Sequence, residues 1–164
     1  MRLHDLCSAV TATAAMTTAL VAGAPAAEWR QCTPPPLPGK VVDVQLTDSA
    51  SGPMRVTVTP ARAPAGTVSF RAANTGTVVH ELVVLPLPKG QAVGKRQMGS
   101  DARVSETGHL GEASRDCGQG EGEGIAPGSM GWVTLQLQPG QYELVCNFPG
   151  HYASGMYAAF DVTK

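Results

Sequence analysis

The chain has 164 residues, 43% of them hydrophobic, with a formal net charge of −1. That balance excludes a disordered chain, a basic nucleic-acid-binding surface and a long coiled coil. Few aromatics (5%) beside 19 glycines and 13 prolines leave one domain of short strands joined by many turns.

Residues 1–26 read as an export signal. Arg2 gives a thin positive start, Leu6 to Val21 a weakly apolar run, and Ala24-Pro25-Ala26 the small residues of a cleavage site. Cleavage after Ala24 would put Pro25 directly behind the scissile bond, so the bond after Ala26 is favoured. The run is Thr-rich and short for a bilayer span, and no later segment is long and apolar enough to make one. Removing the leader deletes Arg2 and Asp5 and leaves the net charge at −1. Residues 27–39 then form a proline-rich arm containing CTPPPLPG.

Strand signals begin at Lys40. VVDVQLTD alternates Val42, Val44 and Leu46 on one face, PMRVTVTP does so with Met54, Val56 and Val58, and TVSFRAAN with Val68, Phe70 and Ala72. Pro53, Pro60, Pro64 and an Asn74-Thr75-Gly76 turn separate them. In TVVHELVVLP the same period puts Val78, His80, Leu82 and Val84 on one face. His80 then points into an apolar interior, where an unpartnered imidazole would cost stability and a metal bond would satisfy it.

Residues 89–128 hold ten glycines and charges of both signs without a sustained apolar period. They read as a long surface excursion inserted in the domain 40–164, with a helical turn near Gly111 to Asp116 and a solvated acidic turn around Glu121 and Glu123. An excursion of this length is functional, pinned or mobile, and Cys117 favours pinning. Strand character returns in MGWVTLQLQP. In LQPGQYELVC, Leu137, Pro139-Gly140 and Tyr142 have the pattern of a tyrosine corner, in which the Tyr hydroxyl bonds back to nearby backbone. Tyr142, Leu144 and Cys146 alternate inward, and Met156, Ala158, Phe160 and Val162 repeat the period. About seven or eight short strands and no convincing helix indicate an all-β Greek-key sandwich or barrel.

Between the last two strands, CNFPGHYASGM places a thiolate donor (Cys146), an imidazole (His151) and a thioether (Met156) within eleven residues. Such donors suit a soft transition metal, and Cys with two His and a weak axial Met describes a blue-copper centre. The loop lacks one His. His4 lies in the leader and His109 in the excursion, so His80, held on a rigid strand, is the natural fourth ligand. Singly, a strand His is usually a satisfied core residue, a Met core filler and a buried Cys a small hydrophobe. Their conjunction in one short loop favours copper. Cys7 leaves with the leader and Cys146 is wanted by the metal, so Cys32 and Cys117 remain as a disulfide pair for an oxidising compartment. That bridge would tie the arm to the excursion and contribute about 4 to 5 kcal/mol by the loop-entropy model. A second metal site there lacks partners, since no CxxC exists and His109 is the only His of the excursion.

CNFPGHYASGM resembles the copper loop of the cupredoxins, with a spacing similar to that of the rusticyanin and sulfocyanin-like branch. The likeness runs over about residues 40–164 and includes FRAANTG followed by TVVHELVV, which is similar to the segment delivering the first His ligand. It implies one copper ion in a type 1 site with His80, Cys146, His151 and Met156 as ligands. The residue after the first His is often Asn or Ser in this family, hydrogen-bonded to the ligand loop. Here it is Glu81, and an ionised Glu81 close to the ion would favour the oxidised state. Asn147 and Pro149 flank the ligands in the loop, and Pro149 reduces the amides available near Cys146 because it has no N–H.

The resemblance implies a monomeric, extracytoplasmic carrier, periplasmic in a bacterium, that shuttles single electrons between redox proteins such as a cytochrome and an oxidase or reductase. Phe148, Pro149 and Tyr152 would ring His151 with an apolar docking face for brief encounters, which typically bury less than about 1,200 Å²; equally, Phe148 would simply pack under the loop. The alternative is a periplasmic copper carrier or storage protein using the same donors. An enzyme is disfavoured: Asn147 rather than His follows Cys146, no HxH occurs, and four protein ligands leave no open position for substrate. A dinuclear copper site would need a second Cys in the loop.

Overall fold

In the computed structural model, residues 32–49 and 52–164 are described. The leader, its cleavage site and the first residues of the arm lie outside them. Nine strands follow one another: β1 (Lys40–Ser49), β2 (Gly52–Thr59), β3 (Arg62–Pro64), β4 (Gly66–Asn74), β5 (Leu82–Pro86), β6 (Gly111–Ala113), β7 (Met130–Leu137), β8 (Gly140–Val145) and β9 (Tyr157–Thr163). They form two sheets, ordered β2-β1-β4-β7 and β3-β9-β8-β5-β6. The β1–β4 and β3–β9 pairs are parallel and the others antiparallel. The expected all-β sandwich is present, with nine strands where about seven or eight were expected, β3 and β6 being three-residue strands that no sequence period marked. Among the described residues no helix is long and apolar enough to cross a membrane.

The period-2 rows build the interior. Val42, Val44 and Leu46 of β1, Val68, Phe70 and Ala72 of β4, Tyr142 and Leu144 of β8, and Phe160 and Val162 of β9 enter one core between the sheets. Phe70 and Phe160 meet edge to face across it, ring centroids 5.0 Å apart. The Tyr142 hydroxyl donates to the Gln138 carbonyl at 2.7 Å, so the expected tyrosine corner turns β7 into β8. Where β4 presents Ser69 to the outer face, the arm covers it: Ser69 Oγ donates to the Pro38 carbonyl at 2.6 Å and pairs with Thr134 Oγ1.

β5 departs from the expected alternation. Leu82, Val83, Val84 and Leu85 are all buried, whereas Val78, placed by the period beside His80 on the inner face, is 41% exposed. The strand begins only at Leu82, and His80 precedes it on a separate two-way backbone bridge to Ile125. A second apolar cluster explains the double burial. Val83 and Leu85 pack on the outer face of their sheet with Val104, Val145 and Tyr152, under the excursion.

The excursion is therefore a cover. Its segment at 111–113 forms β6, paired to the edge of β5 through Leu82 and Ala113, in place of the helical turn expected there. The free edge of β5 offers backbone partners, and three residues complete that pairing without needing a helical period. The Cys32–Cys117 disulfide is present and joins the arm to the excursion. Deeper in, Glu143 of β8 is fully buried and accepts from Arg96 Nε (2.6 Å), the Gly94 amide (2.7 Å) and the Tyr152 hydroxyl (2.9 Å). A buried carboxylate is tolerable only when paired and hydrogen-bonded, and here all its partners come from the excursion and the loop after β8.

Candidate metal centre

β8 ends by carrying Cys146 into the interior, fully buried. The Cys146 amide donates to the Met156 carbonyl at 3.0 Å, so the loop between them is closed at its neck where β9 begins. Inside that neck the chain turns twice: the His151 amide reaches the Phe148 carbonyl and the Met156 amide the His151 carbonyl. His151 is thereby folded back over Cys146. Its Nδ1 lies 3.3 Å from Cys146 Sγ. His80 comes from the segment that crosses from β4 to β5, its Nδ1 3.7 Å from Cys146 Sγ and 3.3 Å from His151 Nδ1.

These three atoms form a triangle whose circumcentre lies about 2.0 Å from each corner, close to the metal–nitrogen and metal–sulfur bond lengths of about 2.0 to 2.3 Å seen for a first-row ion such as zinc. Their chemistry points the same way. Burial pushes the Cys146 thiol up to about 12, against the opposing pull of the Glu81 and Phe148 amides. Burial, and then the neighbouring His80, hold His151 below its ordinary value. One thiol that burial keeps protonated, one buried imidazole and one half-buried imidazole converge on a common point. A soft metal that displaces the thiol proton satisfies all three. The donor set fits copper, and His80, Cys146 and His151 are arranged as a type 1 site. Met156 is fully buried at the head of β9, with its backbone hydrogen-bonded to Cys146.

The surroundings are fixed by hydrogen bonds. Glu81 keeps the contact to the ligand loop despite the change of residue type: its Oε1 accepts the Asn147 amide at 3.0 Å while its own amide points at Cys146 Sγ, 3.4 Å away. Burial first, then the charges of Glu112 and Glu106, push the Glu81 carboxyl up to about 7. Asn147 joins the loop to the excursion by exchanging bonds with Val104, N–H to Oδ1 at 2.8 Å and Nδ2 to the carbonyl at 2.9 Å, and by donating to Glu106 at 2.6 Å. The Gly150 amide adds a bond to the Ala102 carbonyl. Pro149 is exposed.

Phe148 is half-buried beside His151, with the Arg103 guanidinium 5.7 Å from its ring centroid. It closes against Gly124, where a Cβ would come within 2.3 Å of Val79 and 2.9 Å of Phe148, so only glycine lets the excursion pass. Tyr152 corrects the expectation of a docking role. It is 3% exposed, buried in the second cluster, and its hydroxyl bonds Glu143 and accepts the Arg96 amide. The two rings flanking His151 go to different clusters, Phe148 against the rim of the main core and Tyr152 beneath the excursion.

One residue beside the site was missed in the sequence. Asp48, at the end of β1, lies with Oδ1 2.8 Å from His80 Nε2, the ring nitrogen facing away from Cys146. The Thr77 amide (2.7 Å), the Thr77 hydroxyl and the Val78 amide (3.3 Å) also donate to its carboxylate. Burial would raise the Asp48 carboxyl, but the bonds from Thr77, His80 and Val78 outweigh it and hold it well below the usual carboxylate range. The available signal was position: Asp48 continues the inward row of Val42, Val44 and Leu46, where an acid needs partners.

The Sulfocyanin (SoxE) domain model matches residues 42–164. Among solved structures, auracyanin B is 23% identical, with 82% of this chain and 96% of that one covered at a TM-score of 0.50, a likeness of fold. Reduced rusticyanin is 24% identical over 77% of this chain and 81% of that one, TM-score 0.49. Reduced auracyanin from the photosynthetic bacterium Roseiflexus castenholzii is 19% identical over 77% and 100%, TM-score 0.48. A comparison with curated proteins gives no match. With its sandwich, its His-Cys-His centre and a family match spanning most of its length, the chain belongs to the sulfocyanin family, within the rusticyanin and sulfocyanin branch of the cupredoxins.

Proposed function

We propose that this protein is an extracytoplasmic single-electron shuttle holding one copper ion on His80, Cys146 and His151, with Met156 as a weak axial ligand. The observation that carries the reading is the triangle of donor atoms, with edges of 3.3, 3.3 and 3.7 Å, built from two separate parts of the chain. Bound copper supplies a one-electron couple between its cupric and cuprous states. The chain's contribution is to hold the donors still, so that little must rearrange when the electron moves. The bridge between His80 and Ile125, the neck between Cys146 and Met156, and the Asn147 bonds to Val104 all serve that end.

Copper carriage is less well supported, because a carrier must release its metal. Here Cys146 and His80 are fully buried and only His151 reaches the surface. Around it, Phe148, exposed Pro149 and Val79, which is 40% exposed, supply an apolar face for a transient redox partner. The Cys32–Cys117 bridge supports an oxidising compartment. A catalytic role is not proposed, since four protein ligands leave no position for substrate.

Absorption spectroscopy with voltammetry tests the reading. The mature protein loaded with copper(II) should show an intense thiolate-to-copper band in the visible and a reversible one-electron wave. A colourless protein that binds only copper(I) and surrenders it to a chelator would establish carriage instead.

A further inference from the structure

We propose that Asp48 is a positioning residue of this centre: its carboxylate holds His80 in the tautomer that turns the Nδ1 lone pair to the metal, and its negative charge favours the cupric state. The second half rests on the electron-shuttle reading; the first half concerns the chain alone.

A neutral imidazole carries one N–H. His80 Nδ1 faces His151 Nδ1 and Cys146 Sγ, while Nε2 faces Asp48 Oδ1 at 2.8 Å. A carboxylate can only accept, so the proton belongs on Nε2. With the proton on Nδ1 instead, a ring lone pair would oppose a carboxylate oxygen at that distance in a site where the His80 side chain is 0% and the Asp48 side chain 6% exposed. The arrangement is a carboxylate behind a metal-facing imidazole, which fixes the ring's orientation and tautomer.

The turn between β4 and His80 is shaped around this carboxylate. Three donors of Thr77 and Val78 converge on it. Gly76 approaches so closely that a Cβ there would lie 1.9 Å from Asp48 Oδ1. Asn74 closes the other side of the turn, its Nδ2 donating to the carbonyls of Val78 and Ile125. The plainer reading makes Asp48 only the anchor of this turn. An Asn would then serve nearly as well, because its amide oxygen accepts the same Thr77 amide, Val78 amide and His80 donors and its NH2 donates to the Thr77 hydroxyl oxygen in reverse. The two readings part on charge, which Asn lacks.

Two measurements on the full chain test the proposal. In the metal-free protein with ¹⁵N-labelled histidine, NMR should find His80 as the Nε2–H tautomer, and Asp48→Ala should convert it to a mixture. In the copper-loaded protein, Asp48→Asn should retain the visible band, lose about ten- to a hundredfold in copper(II) affinity and lose less in copper(I) affinity. Each tenfold difference between those losses raises the one-electron potential by about 59 mV. Asp43→Asn, which removes an exposed carboxylate of the same strand, should leave the potential unchanged. An Nδ1–H tautomer in the wild type, an Asp48→Ala spectrum with Nε2–H still fully populated, or an unshifted or lowered potential in Asp48→Asn overturns the proposal. Should Asp48→Ala fail to fold, the wild-type tautomer and the Asn variant still decide it. A wild type that forms no coloured copper site refutes the shuttle reading and leaves the tautomer measurement valid.

Discussion

Cys146 and Met156 are the two sulfur residues of the ligand loop, and replacing each should have different consequences for the colour and potential of the proposed copper centre. Cys146→Ala removes the thiolate and should abolish the visible band; a coloured variant would exclude Cys146 as a ligand. Met156→Leu replaces a weak donor by hydrocarbon of similar volume, so the band should persist while the potential rises. A third prediction concerns Asn147, which is 1% exposed and tied to both sides of Val104. Asn147→Ala strands those backbone groups and should cost about 1 to 3 kcal/mol in urea unfolding, with a broadened copper spectrum as the ligand loop loosens. At this scale the grouping of His80, Cys146 and His151 was legible because Cys and His are scarce in this chain and the last two share one short loop. Asp48 was not, because an acid at a strand end reads equally well as a turn residue. Tyr152 was placed on the wrong side because no period operates inside a loop built of tight turns.

The excursion at 89–128 works as a second wall. It covers the outer face of β5 and β8, supplies β6, clamps His80 through Ile125 and steadies the ligand loop through Val104 and Ala102. The Arg96–Glu143 pair is its charged anchor, with side chains 13% and 0% exposed. Arg96→Met leaves Glu143 as an uncompensated buried charge and should destabilise the protein by about 3 to 5 kcal/mol. Amide exchange of Ile125 and Val104 should accelerate with it; unchanged protection there would show that the excursion is held elsewhere. Strands β1 and β2 were readable because they alternate between core and solvent, and β4, β7, β8 and β9 because their apolar residues recur at every second position even where, as in β8, both faces are covered. β5 is buried on both faces, so alternation placed its start too early at Val78, and three residues in β3 or β6 are too few to show a period. The excursion's role was invisible because its bonds run mainly through backbone and long-range polar contacts, which leave no pattern in a glycine-rich sequence.

Across the whole molecule, the sandwich presents the centre at one end of its core, and metal binding couples to global stability. An ion that binds the folded chain and not the unfolded one stabilises it by about 2.7 kcal/mol at a free concentration a hundred times the dissociation constant. Removing copper with a chelator should therefore lower the thermal midpoint, and readdition should restore it; equal midpoints would mean that the donors are not assembled by folding. The alternating rows and turn residues made the sandwich legible in advance, since they reflect local sterics, whereas the parallel β1–β4 pairing comes from chain crossings that no local pattern encodes. The closed neck between Cys146 and Met156 suggests that the ligand loop is a portable cassette, cut cleanly from one sandwich and set into another. In this protein it is not self-sufficient: Asn147 and Gly150 lean on Val104, Glu106 and Ala102. A transplant into a host without that buttress would inherit the donors but not their rigidity, and exchange of the excursion between relatives would retune the metal without altering a single ligand.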